Sequence, residues 1–142
     1  MIIQPTYVTF EQAKWLKEKG FNIELKSYYR ITGSGVFESP KPVNHNDDKS
    51  QETAGGMTYV SAPEQWQVVE WLRVNHNIDL QAICNYSEKG RSYRMGIIYI
   101  KENKVESVFL RKDYGFTDFI EFNSPQEAYS AAFDYIKENI IK

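Results

Sequence analysis

The sequence predicts an α+β protein in two parts: an N-terminal helix plus β-hairpin element, then an α-β-β-β-α unit with two helices on one face of an antiparallel sheet. Three observations lead there. The same helix-start signature occurs at Thr9-Phe-Glu-Gln12, Ser61-Ala-Pro-Glu64 and Ser124-Pro-Gln-Glu127. In each, a hydroxyl can accept from a free first-turn amide while the Glu or Gln three residues on reaches back, and Pro63 and Pro125 sit where a missing N–H costs little. Alternating apolar runs follow the first signature and fill the space between the second and third, which is the pattern of half-buried strands. Residues 38–56, by contrast, are Ser, Pro, Asn, Asp, Lys, Gln and Gly with almost no apolar side chain to offset the entropy of ordering. They divide an N-terminal element, 1–37, from a larger domain, 57–142.

The first helix is expected from Phe10 to Lys19, with Phe10, Ala13 and Leu16 on one face. Gly20 is placed to take the left-handed conformation of a C-terminal cap, folding Phe21 back on the last turn. From Ile23 to Ile31 the chain alternates Ile23, Leu25, Ser27, Tyr29 and Ile31 against polar neighbours, a strand with one buried face. The polar stretch 38–56 is then a loop, and Val36-Phe37 or Met57-Thr-Tyr-Val60 is expected to pair back on that strand.

The second helix, Ala62 to about His76, places Ala62, Trp66, Val69 and Leu72 on one stripe, with Val68 at its edge. Trp71 and Val74 fall on the other side, forming a second apolar surface that the N-terminal helix or a second copy of the chain is expected to cover. Leu80–Tyr86, Tyr93–Ile100 and Val105–Lys112 read as three strands joined by turns at Ser87–Gly90 and Lys101–Lys104, with Phe116–Phe122 as a bulged extension or short fourth strand. The last helix runs from Pro125 to about Ile140, with an Ala side suited to close approach and an aromatic side beyond it.

Composition narrows the function. At 142 residues and 42% hydrophobic content the chain can bury one modest core, and 17 basic against 19 acidic residues leave no whole-protein basic footprint for duplex DNA. No apolar run reaches the roughly 20 residues that span a bilayer, so no membrane partner is expected and the expected location is cytoplasmic. The lone cysteine, Cys84, precludes an internal disulfide and a thiolate zinc cluster.

Candidate chemistry is sparse. Cys84 alternates with Leu80, Ala82 and Tyr86 and reads as a small core residue. His45-Asn-Asp-Asp48 lacks the spacing of a zinc or calcium site and reads as a solvated loop, while His76 suits the carbonyl end of a helix when charged. Gly33-Ser-Gly35 follows a strand without opening a helix, so it makes no phosphate loop. No catalytic residue, metal site or cofactor is assigned. The polar cluster with most to offer is Lys89-Gly-Arg-Ser-Tyr-Arg94 with Arg111 and Lys112, near which Tyr28, Tyr29 and Arg30 add rings and charge. Arg91, Tyr93, Arg94, Arg111 and Lys112 mix cations and aromatics as single-strand or small-nucleotide binders do.

Three phrases carry a resemblance: Tyr7-Val-Thr-Phe-Glu-Gln-Ala-Lys-Trp-Leu-Lys-Glu-Lys-Gly-Phe21, Ser61-Ala-Pro-Glu-Gln-Trp-Gln-Val-Val-Glu-Trp-Leu-Arg73 and Ser124-Pro-Gln-Glu-Ala-Tyr-Ser-Ala-Ala-Phe-Asp-Tyr-Ile136. Together they resemble small proteins of bacteriophages and prophages of gut Bacteroidales, and 61–142 is similar in layout to the phage α-β-α sandwich domain. The resemblance implies a genomic setting and transfers no reaction. The expected function is therefore that of a non-enzymatic phage accessory protein that binds another protein, itself or a host factor, possible modulation of host defence included. The alternative is a binder of nucleic acid or a small nucleotide through the basic-aromatic cluster.

Overall fold

The structure, a computed structural model, describes residues 3–47, 59–111 and 118–142. Among the described residues its α+β fold comprises three helices and two three-stranded antiparallel sheets, and the chain clusters into two compact units, 1–64 and 65–142. Residues 48–58 and 112–117 fall outside the described residues, and with them about half of the loop expected over 38–56, Met57 and Thr58 of the expected pairing segment, Lys112, and the start of the extension expected over Phe116–Phe122.

The first unit begins with α1, Phe10–Glu18, whose start is the expected capping box: Thr9 Oγ1 accepts from the Gln12 amide, and Gln12 Oε1 accepts from the Thr9 amide. The helix stops where Gly20 takes a φ of +87°, and the buried Phe21 returns its amide to the Leu16 carbonyl at 2.9 Å. Next comes β1, Leu25–Arg30, which buries Leu25, Ser27 and Tyr29 as the alternation requires and leaves Ile23 and Ile31 exposed at its ends. Both proposed pairings form at once, because β1 is the central strand between β2, Val36–Val43, and β3, Tyr59–Ser61.

Two expectations are corrected here. The polar stretch read as a loop from residue 38 is a strand through Val43, held to β1 at Glu38 and again at Val43 with a register irregularity between them. The second capping box is not built either. Ser61 ends β3, the Ala62 amide bonds the Ser27 carbonyl, and Pro63 accepts from the Val8 amide, so the backbone between Ser61 and Glu64 is committed to sheet pairing before a helix can start.

Polar clasps close this unit. Tyr29 donates its hydroxyl to the Val8 carbonyl and Ser27 donates to the Ala62 carbonyl, each at 2.6 Å. His45-Asn46, expected in a solvated loop, is an internal staple. The buried His45 places Nε2 2.9 Å from the Leu25 carbonyl and its ring against Tyr28, while Asn46 donates to the Phe21 carbonyl and accepts from the Ser61 amide. Gly33 has a packing reason: at φ +72°, a Cβ there would lie 2.8 Å from the Phe10 ring.

The second unit holds α2, Gln65–His76, the meander β4 (Asp79–Ser87), β5 (Gly90–Lys101) and β6 (Lys104–Phe109), and α3, Pro125–Asn139. Asn77 at φ +53° ends α2 and lets the Ile78 amide return to the Leu72 carbonyl. Glu102 and Asn103 both take positive φ in the two-residue turn between β5 and β6, the geometry that matches strand twist. At α3, Ser124 Oγ accepts from the Glu127 amide as expected, but Glu127 reaches one residue further back, to the Asn123 amide.

Cross-strand pairing fixes the two faces of this sheet. Ile97 opposes Leu80 on one side and Val108 on the other, and Ala82 opposes Met95, whose carbonyl accepts from the Leu110 amide. Met95 and Ile97 are fully buried together with Ala128, Ala132, Phe133 and Ile136 of α3. The Ala side of α3 thus lies on β4 and β5, with α2 touching β4 and α3, and Gln65 donating to the Gln126 carbonyl. The opposite face bears Arg94, Gly96, Ile98 and Ile100, and among the described residues no helix packs on it.

Candidate binding surface

The strand alternation that builds the core also sorts the predicted polar cluster. Arg91 and Tyr93 lie on the same side of β5 as Met95, whereas Ser92 and Arg94 lie on the open side. Arg91 sits across from Tyr86, its guanidinium 5.4 Å from that ring, and a hydrogen bond to the Tyr93 side chain, then the Tyr86 phenol, raise its pKa. Cys84 opposes Tyr93 on that same side and is exposed, which corrects the core reading: it lies nearer the hairpin tip than Ala82.

On the open face a second group assembles. Phe119 bridges to Arg111, the guanidinium carbons of Arg94 and Arg111 lie 4.7 Å and 5.1 Å from the centre of its ring, and Phe109 meets it edge-on at 5.6 Å. Gly96 makes room for this layer, since a Cβ there would press on the Phe109 ring at 3.3 Å. Glu121 then takes a charge-assisted bond from Arg94 and a 2.6 Å bond from the Ser92 hydroxyl. The paired Phe122 and Tyr93 backbones hold Glu121 opposite Arg94. Arg94 and Arg111 are therefore brought together, Arg91 and Tyr93 are turned to the other side, and Lys112 is outside the described residues. Tyr28, Tyr29 and Arg30 belong to the first unit, where Tyr29 is core and Tyr28 packs against Phe37, His45 and Tyr59.

The apolar part of the open face went unseen in the sequence. Val105, 74% exposed, opposes Ile100, 56% exposed, and further along the same face Ile83, level with Arg94, and Phe109, level with Gly96, are also exposed. The signal was present: β5 reads Met95 to Ile100 with apolar residues at both parities, which marks a strand apolar on both faces.

Helix α2 is rotated relative to the sequence reading. It buries Gln65, Val68, Trp71 and Leu72, so Trp66 is 64% exposed and Trp71 only 5%. The packing of α2 on β4 and α3 selects the side of Val68 and Trp71 as the inward stripe. Of the expected second surface Val74 remains exposed, while Trp71 packs on the His76 ring at 4.6 Å. Burial lowers the His76 pKa, so the imidazole is held toward its neutral form at the helix end where a charged one was expected.

Below the open face, a groove of about 670 Å³ runs beside β6. Val108, Leu110, Arg111 and Ile120 line it together with Asp134 and Glu138 of α3. Among the described residues no group of three His, Cys, Asp or Glu is placed to hold a metal ion, and no helix is long and apolar enough to cross a membrane. Comparison of the chain with protein-family models, with curated proteins and with solved structures found no match.

Proposed function

We propose that this chain is a non-enzymatic binding protein whose partner is another protein, engaged through the sheet of the second unit. The observation that carries the reading is the exposed apolar surface of Ile83, Ile100, Val105 and Phe109 on the sheet face opposite the buried core. Exposed apolar side chains gathered on one sheet face mark interaction sites, and the aromatic member, Phe109, is the type that anchors interfaces. The resemblance to phage and prophage proteins supports a setting in the host cytoplasm, with a host factor, such as one of its defence proteins, as the partner.

The second reading is binding of nucleic acid or a nucleotide at Arg94, Arg111 and Phe119. Two guanidiniums on one ring favour it, and the Glu121 carboxylate on Arg94 weighs against it by competing with a phosphate for the same donor.

Purified protein incubated with nuclease-treated lysate of gut Bacteroidales cells distinguishes them. A host protein retained by the wild type and lost from Ile100→Lys/Val105→Lys is the expected result. The reading is overturned if nothing is retained, or if untreated lysate yields bound nucleic acid that Arg94→Ala/Arg111→Ala releases.

A further inference from the structure

We propose that the outer edge of β4 pairs antiparallel with the same edge of a second copy of this chain, joining the two meanders into one continuous sheet about a two-fold axis at Ile83. This goes beyond the open-face reading and stands or falls apart from it.

Hydrogen bonds on the far side of β5 fix which groups this edge presents. Tyr93 exchanges both of its backbone bonds with Phe122, and the Met95 carbonyl accepts from the Leu110 amide, so neither residue turns its backbone groups toward β4. Their opposites on β4, Cys84 and Ala82, therefore direct N–H and C=O away from the sheet, and by the period of the strand so do Leu80 and Tyr86. β4 is a terminal strand of the order β4-β5-β6, and among the described residues no hydrogen bond reaches these outward groups. The other edge strands are protected: β2 carries Pro40 and Pro42, β6 carries Lys104 and Glu106, and β3 is three residues long. From Leu80 to Ser87, β4 has no charge, proline, glycine or register shift, which leaves it a template for another strand.

The edge matches its own copy. A two-fold axis sets β4 antiparallel to β4, so a charged edge would meet its own charge, and this one has none to meet between Leu80 and Ser87. Outward groups must face outward groups, which sets even-numbered residues against even-numbered ones. An axis at Ile83 satisfies this and pairs the strand over its whole length, from Asp79 to Ser87. Leu80 then opposes the partner's Tyr86, a side chain that is 71% exposed in the single chain, and Ala82 opposes the partner's Cys84, small against small. On the open face Gln81 opposes the partner's Asn85, amide against amide, and the exposed Ile83 meets the partner's Ile83. The flanking charges fall at the ends, Asp79 near the partner's Glu88-Lys89 turn, which contributes one charge of each sign.

The test is sedimentation of the whole chain, with amide exchange read alongside. The wild type is expected to pass from monomer to dimer as its concentration rises to about 1 mM, and the amides of Leu80, Ala82, Cys84 and Tyr86 should slow about tenfold or more with it. In Ile83→Cys/Cys84→Ala the two new thiols face each other across the axis with Cα atoms about 4.5 Å apart, so oxidised glutathione should link the chain into a disulfide dimer. Val105→Cys/Cys84→Ala, with its thiol on β6, should link at least about tenfold more slowly. Cys84→Pro removes an outward N–H, a change edge strands accept, and Ile83→Lys sets like charges across the axis. Each should hold the chain monomeric while the core amides of Met95 and Ile97 stay protected, and Ile83→Lys carries the test if Cys84→Pro does not fold. A wild type that stays monomeric at that concentration overturns the proposal, as do a folded Ile83→Lys that still dimerises and faster linking through wild-type Cys84 than through Ile83→Cys/Cys84→Ala. Ile100→Lys/Val105→Lys should remain a dimer; if it becomes a monomer, the open face is the self-contact and the edge proposal falls. A dimeric wild type that retains no host protein leaves the edge proposal standing while the open-face reading falls.

Discussion

Both units are built on a three-stranded antiparallel sheet, yet they close their sheets in different ways. In the first, buried polar side chains bond to backbone: Ser27 and Tyr29 from β1, His45 from the turn after β2. Asn46 alone links the Phe21 carbonyl to the Ser61 amide. In the second, the inner face is apolar, Met95 and Ile97 against Phe133 and Ile136, and the outer face keeps its apolar residues exposed. A unit whose sheet includes the polar β2 and the short β3 adds bonds to backbone groups to an apolar core of Trp15, Leu16, Phe21 and Leu25. One with an Ala-faced helix and a meander has its stability from packing, and its spare apolar face is left for a partner.

The contrast is open to measurement. The largest effect is expected in the second unit: Phe133→Ala empties a fully buried site between α3 and the sheet and should cost about 3–5 kcal/mol in chemical denaturation. A cost under about 1 kcal/mol would mean that packing does not dominate there.

A smaller loss is expected from the first unit's staple. Asn46→Ala removes two hydrogen bonds and leaves the Phe21 carbonyl and Ser61 amide without that partner, which should cost about 2 kcal/mol. Hydrogen exchange should show the loss in the amides of β1 and β3, with Met95 and Ile97 unchanged. Equal loosening of both sets would break the distinction between the units.

The smallest effect is a pH dependence. Burial is the main cause that holds the His45 and His76 pKa values below the ordinary 6.5, and for His45 the bonds to the Leu25 and Lys26 backbone pull the other way. The unfolded chain thus binds protons first as pH falls, so stability is complete above about 6.5 and declines as pH drops through the depressed folded values. Urea midpoints measured at descending pH should fall in that window, and His45→Gln should flatten part of the decline. An unchanged slope would show that the staple does not depend on the neutral ring.

What could be read from the chain was whatever short-range chemistry decides. The Thr9 box, the Gly20 stop, the Ser124 cap, the alternation through β1 and the meander with its turns are local, because a cap or a turn is satisfied by residues within four positions of it. Charge balance and the single cysteine likewise narrowed the chemistry without coordinates. The remainder depended on groups far apart in sequence. Ser61 carries as good a capping signal as Thr9, but Asn46, Ser27 and Val8 claim the surrounding backbone for a sheet, and long-range pairing outweighs a cap worth about 1 kcal/mol. The packing of α2 on β4 and α3 likewise puts Trp71 inward and Trp66 outward. Sidedness likewise separated Arg91 from Arg94, adjacent in any sequence reading of the basic cluster, and drew Arg111, Phe119 and Glu121 to one of them. A one-residue step along a strand reverses the face a side chain occupies, and only the packed structure determines which face is covered.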